Sequence, residues 1–137
     1  MGVIHLFLLL DDMRKVYVHN LNKPNMAPLL VDYCASFVCQ LRGLTFRGKL
    51  PSNEGILLVQ GRDSRLDSAI HMFGVWIDLA VIWINGAMQV VDLRLARRWR
   101  PWYVPKEAAR FVLESDPQRL HDFHIGDKVK FEEADLG

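Results

Sequence analysis

Four arginines, Arg94, Arg97, Arg98 and Arg100, interleave with Trp99, Trp102 and Tyr103 in one short span. A guanidinium is a planar fork of donors that matches carboxylate and phosphate oxygens, and indole and phenol rings offer faces for stacking. The pattern marks Arg94, Arg98, Trp99, Arg100, Trp102 and Tyr103 as a candidate surface for a small anionic or sugar-like ligand. The competing reading is architectural: large aromatics cover the edge of a small β core while arginine heads stay in water. Arg42 and Arg47 lie upstream beside a helix end and extend the same basic character, with Arg47 as a candidate anion clamp.

A second pattern sits inside the longest apolar stretch, AIHMFGVWIDLAVIWINGAMQVVDLRL from Ala69 to Leu95. His71 and Asp78 are its polar residues in apolar surroundings, and an imidazole and a carboxylate among buried strands suit acid–base chemistry. Buried polar groups also serve to satisfy backbone groups and turns, and no spacing here links the pair to a nucleophile. Ser68 is close by, but no G-x-S-x-G elbow surrounds it. HDFHIGD, with His121, Asp122, His124 and Asp127, has an H-x-x-H spacing, but a Gly126-Asp127 turn follows at once and no further His or Cys comes after. No metal or cofactor is implied, and whether the chain is an enzyme stays open.

Composition narrows the classes. Half the residues are hydrophobic and 24% are charged, so 137 residues suffice for one domain with its own core. The formal net charge of +1 gives no strong nucleic-acid signal. That sum hides a basic stretch, residues 94–110 with six basic and one acidic side chains, followed by an acidic one, residues 111–137 with three and seven. Cys34 and Cys39 fit neither a CxxC nor a zinc spacing, and the expectation is buried free thiols in a reducing compartment. Val3–Leu10 is apolar but far short of the roughly 20 residues that span a bilayer. No Lys or Arg precedes it and Asp11-Asp12 follow it, so it reads as a strand, with no membrane role and a cytoplasmic location.

The elements that would position these residues follow from patterning. Val16–His19 is β-branched and aromatic, and Asn20–Pro28 is an Asn- and Pro-rich loop. Leu29–Tyr33 and Ile56–Gln60 read as strands, and Gly61–Asp67 as a polar turn. Ser36 caps a short helix whose face is Phe37, Val38, Leu41 and Leu44. In the apolar stretch, Ala69–Phe73 is read as a strand. Leu79–Ile84 is apolar at six successive positions and must be covered on both faces. Asn85-Gly86 is a hairpin signal leading into Met88–Leu95. A strand from Phe111 and a half-exposed strand around Val129 and Phe131 close the chain. The fold class is α+β: a compact, mainly antiparallel β-sheet domain with one short helix. A core run this rich in so small a chain also leaves room for a homodimer.

Several segments are familiar as an ordered set. They are Leu41-Arg-Gly-Leu-Thr-Phe-Arg47, Glu54-Gly-Ile-Leu-Leu58, Ile70-His-Met-Phe73, Asp78-Leu-Ala-Val-Ile-Trp-Ile84, Pro101-Trp102, Ala109-Arg-Phe-Val-Leu-Glu114 and Ile125-Gly-Asp-Lys-Val129. Together they resemble the bacterial and archaeal domain-of-unknown-function family 192, over about residues 17–133. The family reads R-x-x-G-L-M-x-R at the helix end, where this chain has Gln40 and Thr45 in place of the first Arg and the Met. The resemblance implies a compact β-rich α+β domain, found alone or behind a secretion signal. It implies no reaction, substrate or cofactor. The first 14 residues fall outside it as an N-terminal extension. The reading that follows is a non-catalytic binding or accessory module built on the Arg94–Tyr103 loop, the alternative being a small enzyme with a His71/Asp78 pair.

Overall fold

A computed structural model describes residues 14–35, 50–72 and 75–134. Its seven strands are β1 (Lys15–Asn20), β2 (Leu29–Cys34), β3 (Glu54–Ser64), β4 (Leu79–Ile84), β5 (Val90–Ala96), β6 (Ala109–Ser115) and β7 (Val129–Glu133). They form one sheet in the order β5-β4-β6-β3-β2-β1-β7, antiparallel throughout except for the parallel β2–β3 pair. A 3-10 helix, Pro117–Asp122, follows β6 with Asp116 as its N-cap. The β-rich class read from the sequence is the class observed. The helix expected from Ser36 and the strand expected at Val3–Leu10 lie outside the described residues.

Both faces of the sheet are buried, and each has its own apolar cluster. Alternation along the strands assigns Val16, Val18, Leu29, Val31, Leu57, Ile82 and Leu113 to one face, where Phe123 packs from the end of the 3-10 helix. Ile56, Leu58, Leu79, Val81, Trp83 and Val112 lie on the other. All six residues of β4 are therefore buried, as its unbroken apolar run requires. The two edge strands meet at one end. Gln89 bridges Lys128, the Val90 N–H donates to the Asp127 carbonyl at 2.9 Å, and the Val129 N–H donates to the Met88 carbonyl at 2.9 Å. The sheet thus curls towards closure with the Phe123 face inside, leaving the Trp83 face to be covered by other segments.

That cover is where the sequence reading needs correcting. Of the strand expected at Ala69–Phe73, the described residues, through Met72, are not part of the sheet: Ile70 makes an isolated antiparallel bridge to Tyr103. Their main chains exchange two hydrogen bonds of 2.9 Å each. Ile70 and Met72 point inward with Tyr103, joining the Trp83 cluster. His71 points outward and is exposed, so it is not the buried imidazole expected. The polar Gly61–Asp67 stretch is not all turn either, because β3 runs on to Ser64 through a register shift against β6.

Asn85-Gly86 does begin the connection between β4 and β5, but not as a two-residue turn. The Asn85 carboxamide oxygen accepts the Ala87 and Gln89 N–H groups at 3.0 Å each, and Met88 carries the positive φ of 64°. The asparagine side chain closes the loop that the glycine was expected to close. Cys34 is also not a free thiol: it is disulfide-bonded. Cys39 lies outside the described residues. Among the described residues no helix is long and apolar enough to cross a membrane.

Candidate functional site

The Arg/Trp loop is held from both ends. After β5 finishes at Ala96, the Arg97 N–H donates to the Tyr103 hydroxyl at 2.8 Å, and the Tyr103 ring is sunk into the core at 5% exposure. Midway, the Trp99 N–H donates to the Met72 carbonyl at 3.1 Å and the Met72 N–H to the Arg100 carbonyl at 3.2 Å. Trp99 sits in the left-handed region at φ 64°, a conformation that costs a non-glycine residue roughly 1 kcal/mol or more. The Met72 bonds hold it there. The return path is anchored as well: Arg65 Nε donates to the Pro105 carbonyl at 2.9 Å, and the Lys106 N–H to Asp92 Oδ2 at 2.9 Å.

This anchoring leaves aromatic rings facing outward in two pairs. Trp76, Trp99 and Trp102 are 53%, 44% and 63% exposed, whereas the fourth tryptophan, Trp83, is fully buried. Trp76 and Trp99 meet edge to face at 5.1 Å between ring centroids, and His71 meets Trp102 the same way at 5.6 Å. Trp76 was not singled out from the sequence. Its neighbours Val75 and Ile77 made it look like part of a buried run, and only the pairing with Trp99 marks it.

Asp78 binds the arginines of this loop. Its Oδ1 accepts the Arg98 N–H at 2.9 Å and Arg98 Nε at 3.1 Å, and its Oδ2 lies 3.6 Å from an Arg97 guanidinium nitrogen. The Arg98 main-chain bond, seconded by the two guanidinium groups, holds the Asp78 carboxyl below its usual range against the opposing effect of partial burial. Of the other residues expected here, Arg94 reaches back to Asp92 at 3.4 Å, and Arg100 lies 6.0 Å above the Tyr103 ring. Arg47 lies outside the described residues. In the HDFHIGD segment, Asp127 accepts Asn20 Nδ2 at 2.8 Å and the His124 N–H at 2.9 Å, tying a turn together. No group of three or more His, Cys, Asp or Glu side chains among the described residues is placed to hold a metal ion.

The most perturbed ionisable group was not among the sequence candidates. Glu114 lies on β6 between Ile56 of β3 and Val81 of β4, and is 7% exposed. Burial pushes its carboxyl up to about 7. Beside it, β3 and β6 come so close that a Cβ on Gly55 would stand 2.5 Å from the Glu114 carbonyl oxygen. The sequence signal was an acidic residue on a strand whose neighbours on both sides are apolar runs.

The site is thus a rim of exposed aromatics and arginines fastened onto one face of a curled mixed sheet, with two buried acids on the face beneath, Asp92 with donors and Glu114 without any among the described residues. The fold and its sequence define a known class of uncharacterised domains. The family model described as "Uncharacterized ACR", domain-of-unknown-function family 192, matches residues 19–131, and the chain belongs to that family.

Relatives include the UPF0127 protein of Thermococcus gammatolerans, 36% identical over 104 residues, covering 74% of this chain and 66% of that one. The UPF0127 protein of Thermococcus kodakarensis is 34% identical over 101 residues, covering 74% and 59%. The chain therefore spans a little under two thirds of the length of these relatives.

Two crystal structures share the fold. One, from Sinorhizobium meliloti and provisionally described as a transcription regulator, has a TM-score of 0.73 at 17% identity, covering 86% of this chain and 92% of that one. The other, a protein of unknown function from Novosphingobium aromaticivorans, has a TM-score of 0.70 at 19% identity, covering 85% and 83%.

Proposed function

We propose that this domain is a binding module whose ligand is a saccharide carrying an anionic group, held on the surface formed by His71, Trp76, Trp99 and Trp102. One observation carries the reading: three of the four tryptophans stand exposed on segments tied to each other by main-chain bonds, Trp76 against Trp99 and Trp102 against His71. Exposed indoles forgo burial, and a grouped, pre-positioned set of them suits stacking against sugar faces at low ordering cost. Arg97 and Arg98, with side chains 65% and 60% exposed, border this surface and supply forks for a carboxylate, sulfate or phosphate. Tyr103 serves the surface from beneath by fixing the Arg97 backbone, and Asp78 serves it by orienting Arg98.

The competing enzyme reading needs Asp78 to exchange a proton with His71 or a substrate. Its oxygens are already taken up by Arg98 and Arg97, and its charge is stabilised, which makes it a poor acid and a weak base near neutral pH.

Titrating the protein with a trigalacturonate probe, followed by tryptophan fluorescence, tests the proposal. Binding that weakens with salt is expected, with a loss of about tenfold or more for Trp102→Ala and a smaller loss for Arg98→Ala. Undiminished binding by Trp102→Ala would sink it. So would tighter binding of a single-stranded oligonucleotide than of the acidic sugar, because stacked bases would then be the better match to the same surface.

A further inference from the structure

Glu114 is a buried acid with no described partner. No hydrogen bond or ion pair reaches its carboxyl from any described residue, and burial alone displaces its titration from the ordinary 4.5. It lies on the Trp83 face, since its cross-strand partners Ile56 and Val81 both belong to that cluster. The same cluster includes Ile70, Met72, Val75 and Tyr103, the inward-facing residues of the segments that display the aromatic rim. Those segments are not woven into the sheet. The Ile70–Tyr103 bridge and the two Met72 bonds to Trp99 and Arg100 join them to each other. Apolar contact seats them on the face, and at their ends the Trp83 Nε1–H donates to the Ser68 carbonyl at 2.7 Å and the Lys106 N–H to Asp92 Oδ2 at 2.9 Å.

The surroundings offer a charged Glu114 little. On β3, Ile56 lies opposite and Glu54 lies two residues before it on the same face. On β4, Val81 lies opposite, with Leu79 and Trp83 next to it on that face. Along β6, Val112 precedes it, and Asp116 follows beyond the strand end with its carboxylate accepting the Gln118 N–H at 3.3 Å. One strand further out on each side, Asp32 pairs with Lys15 and Arg94 with Asp92. On the cover, Tyr103 takes the Arg97 N–H, and His71 and Asp78 are engaged at the outer rim. The other carboxylates at this end, Glu54 and Asp116, oppose ionisation of Glu114 in the same sense as burial does.

We propose that Glu114 is a proton-operated latch under the aromatic cover: with its carboxyl neutral, the segments bearing His71, Trp76, Trp99 and Trp102 stay seated on the Trp83 face, and loss of the proton to solvent unseats them. An ionised carboxylate must be hydrated or paired, and no described group pairs with it. The element that can yield is the cover, held by few bonds, rather than β3, β4 or β6, which hold one another by continuous ladders. The coupling does not depend on what the rim binds.

Amide exchange and tryptophan emission of the full chain, followed from pH 5.5 to 8.5, test the latch. In the wild type, protection of the mutually bonded Ile70 and Tyr103 amides, corrected for intrinsic rates, should fall by about tenfold or more from pH 5.5 to about 7 and level off above it. Ile82 on β4 should keep its protection, and the emission should move over the same range. Glu114→Gln should remove the transition, whereas His71→Gln should keep it.

A transition that persists in Glu114→Gln, disappears in His71→Gln or releases Ile82 equally would overturn the latch. So would equal protection at both ends of the pH range. Should Glu114→Gln fail to fold, the wild-type contrast between Ile70 and Ile82 together with the His71→Gln result decides.

Discussion

Asp78 and Glu114 are carboxylates at the rim and on the covered face of the same sheet, and their surroundings drive them in opposite directions. Asp78 meets an amide and two guanidinium groups and stays charged. Glu114 meets apolar strands and keeps its proton up to about 7. The difference is one of partners more than of depth. Asp78, just before β4, finds a loop N–H and two arginines that turn to it, whereas Glu114, laddered on both sides by β3 and β4, finds main-chain amides already in use. The covered face therefore admits a carboxylate where donors meet it, as Arg94 and the Lys106 N–H meet Asp92, and leaves Glu114 without one among the described residues.

The sharpest test of that contrast is Glu114→Gln. For the wild type, the folded-state carboxyl lies above its unfolded value of 4.5, so its stabilising contribution is complete below about pH 4.5 and is lost as pH rises through about 7. The variant lacks this loss. It should match the wild type in acid and exceed it by about 3 kcal/mol at pH 8.5 in urea unfolding. No gain at pH 8.5 would mean that Glu114 has a partner in solution.

Next in size is Gly55→Ala. The added methyl must push against the Glu114 carbonyl and separate β3 from β6, costing about 1–3 kcal/mol at all pH values. A neutral result would show that the covered face yields more readily than its packing implies.

Asp78→Asn should cost about 1 kcal/mol at neutral pH. The sign is opposite to that of Glu114. A depressed carboxyl stabilises above its unfolded value, and the stability is lost as pH falls through its lowered folded one, so the cost should shrink in strong acid. A cost unchanged between neutral and acidic pH would remove Asp78's charge from the comparison.

Much of the sheet could be read from residue order. Six apolar positions in succession at Leu79–Ile84 require cover on both faces, and the alternation around Val129 and Phe131 marks a strand with one wet side. Local patterning was blind to cover and to partners distant in sequence. Gln60–Ser64 continues β3 although its residues are polar, regaining β6 at Ser64↔Ala109 after a register shift. Ile70–Met72 looked like a core strand, yet its pairing with the post-β5 loop leaves His71 in water.

Glu114 is the mirror case. An acid in Phe111-Val-Leu-Glu114 reads as the wet side of a strand until segments some 40 residues away, carrying Ile70 and Met72, close over that side. The aromatic rim was half legible. Trp99 and Trp102 stood out beside their arginines, while Trp76 lay hidden in an apolar run.

The pairing of the first described strand with the last one bears on how the chain is made. β1 aligns with β7 from Val16↔Glu133 to Asn20↔Val129, across more than a hundred intervening residues. On the ribosome, β1 can find β2 early, but its other edge has no partner until β7 emerges. Closing so long a loop is entropically late, and the nearly complete sheet waits with one open edge, where a neighbouring chain competes for the same ladder. The vulnerable moment for this domain is thus the interval before β7 emerges, when a few missing residues leave a whole edge unmatched.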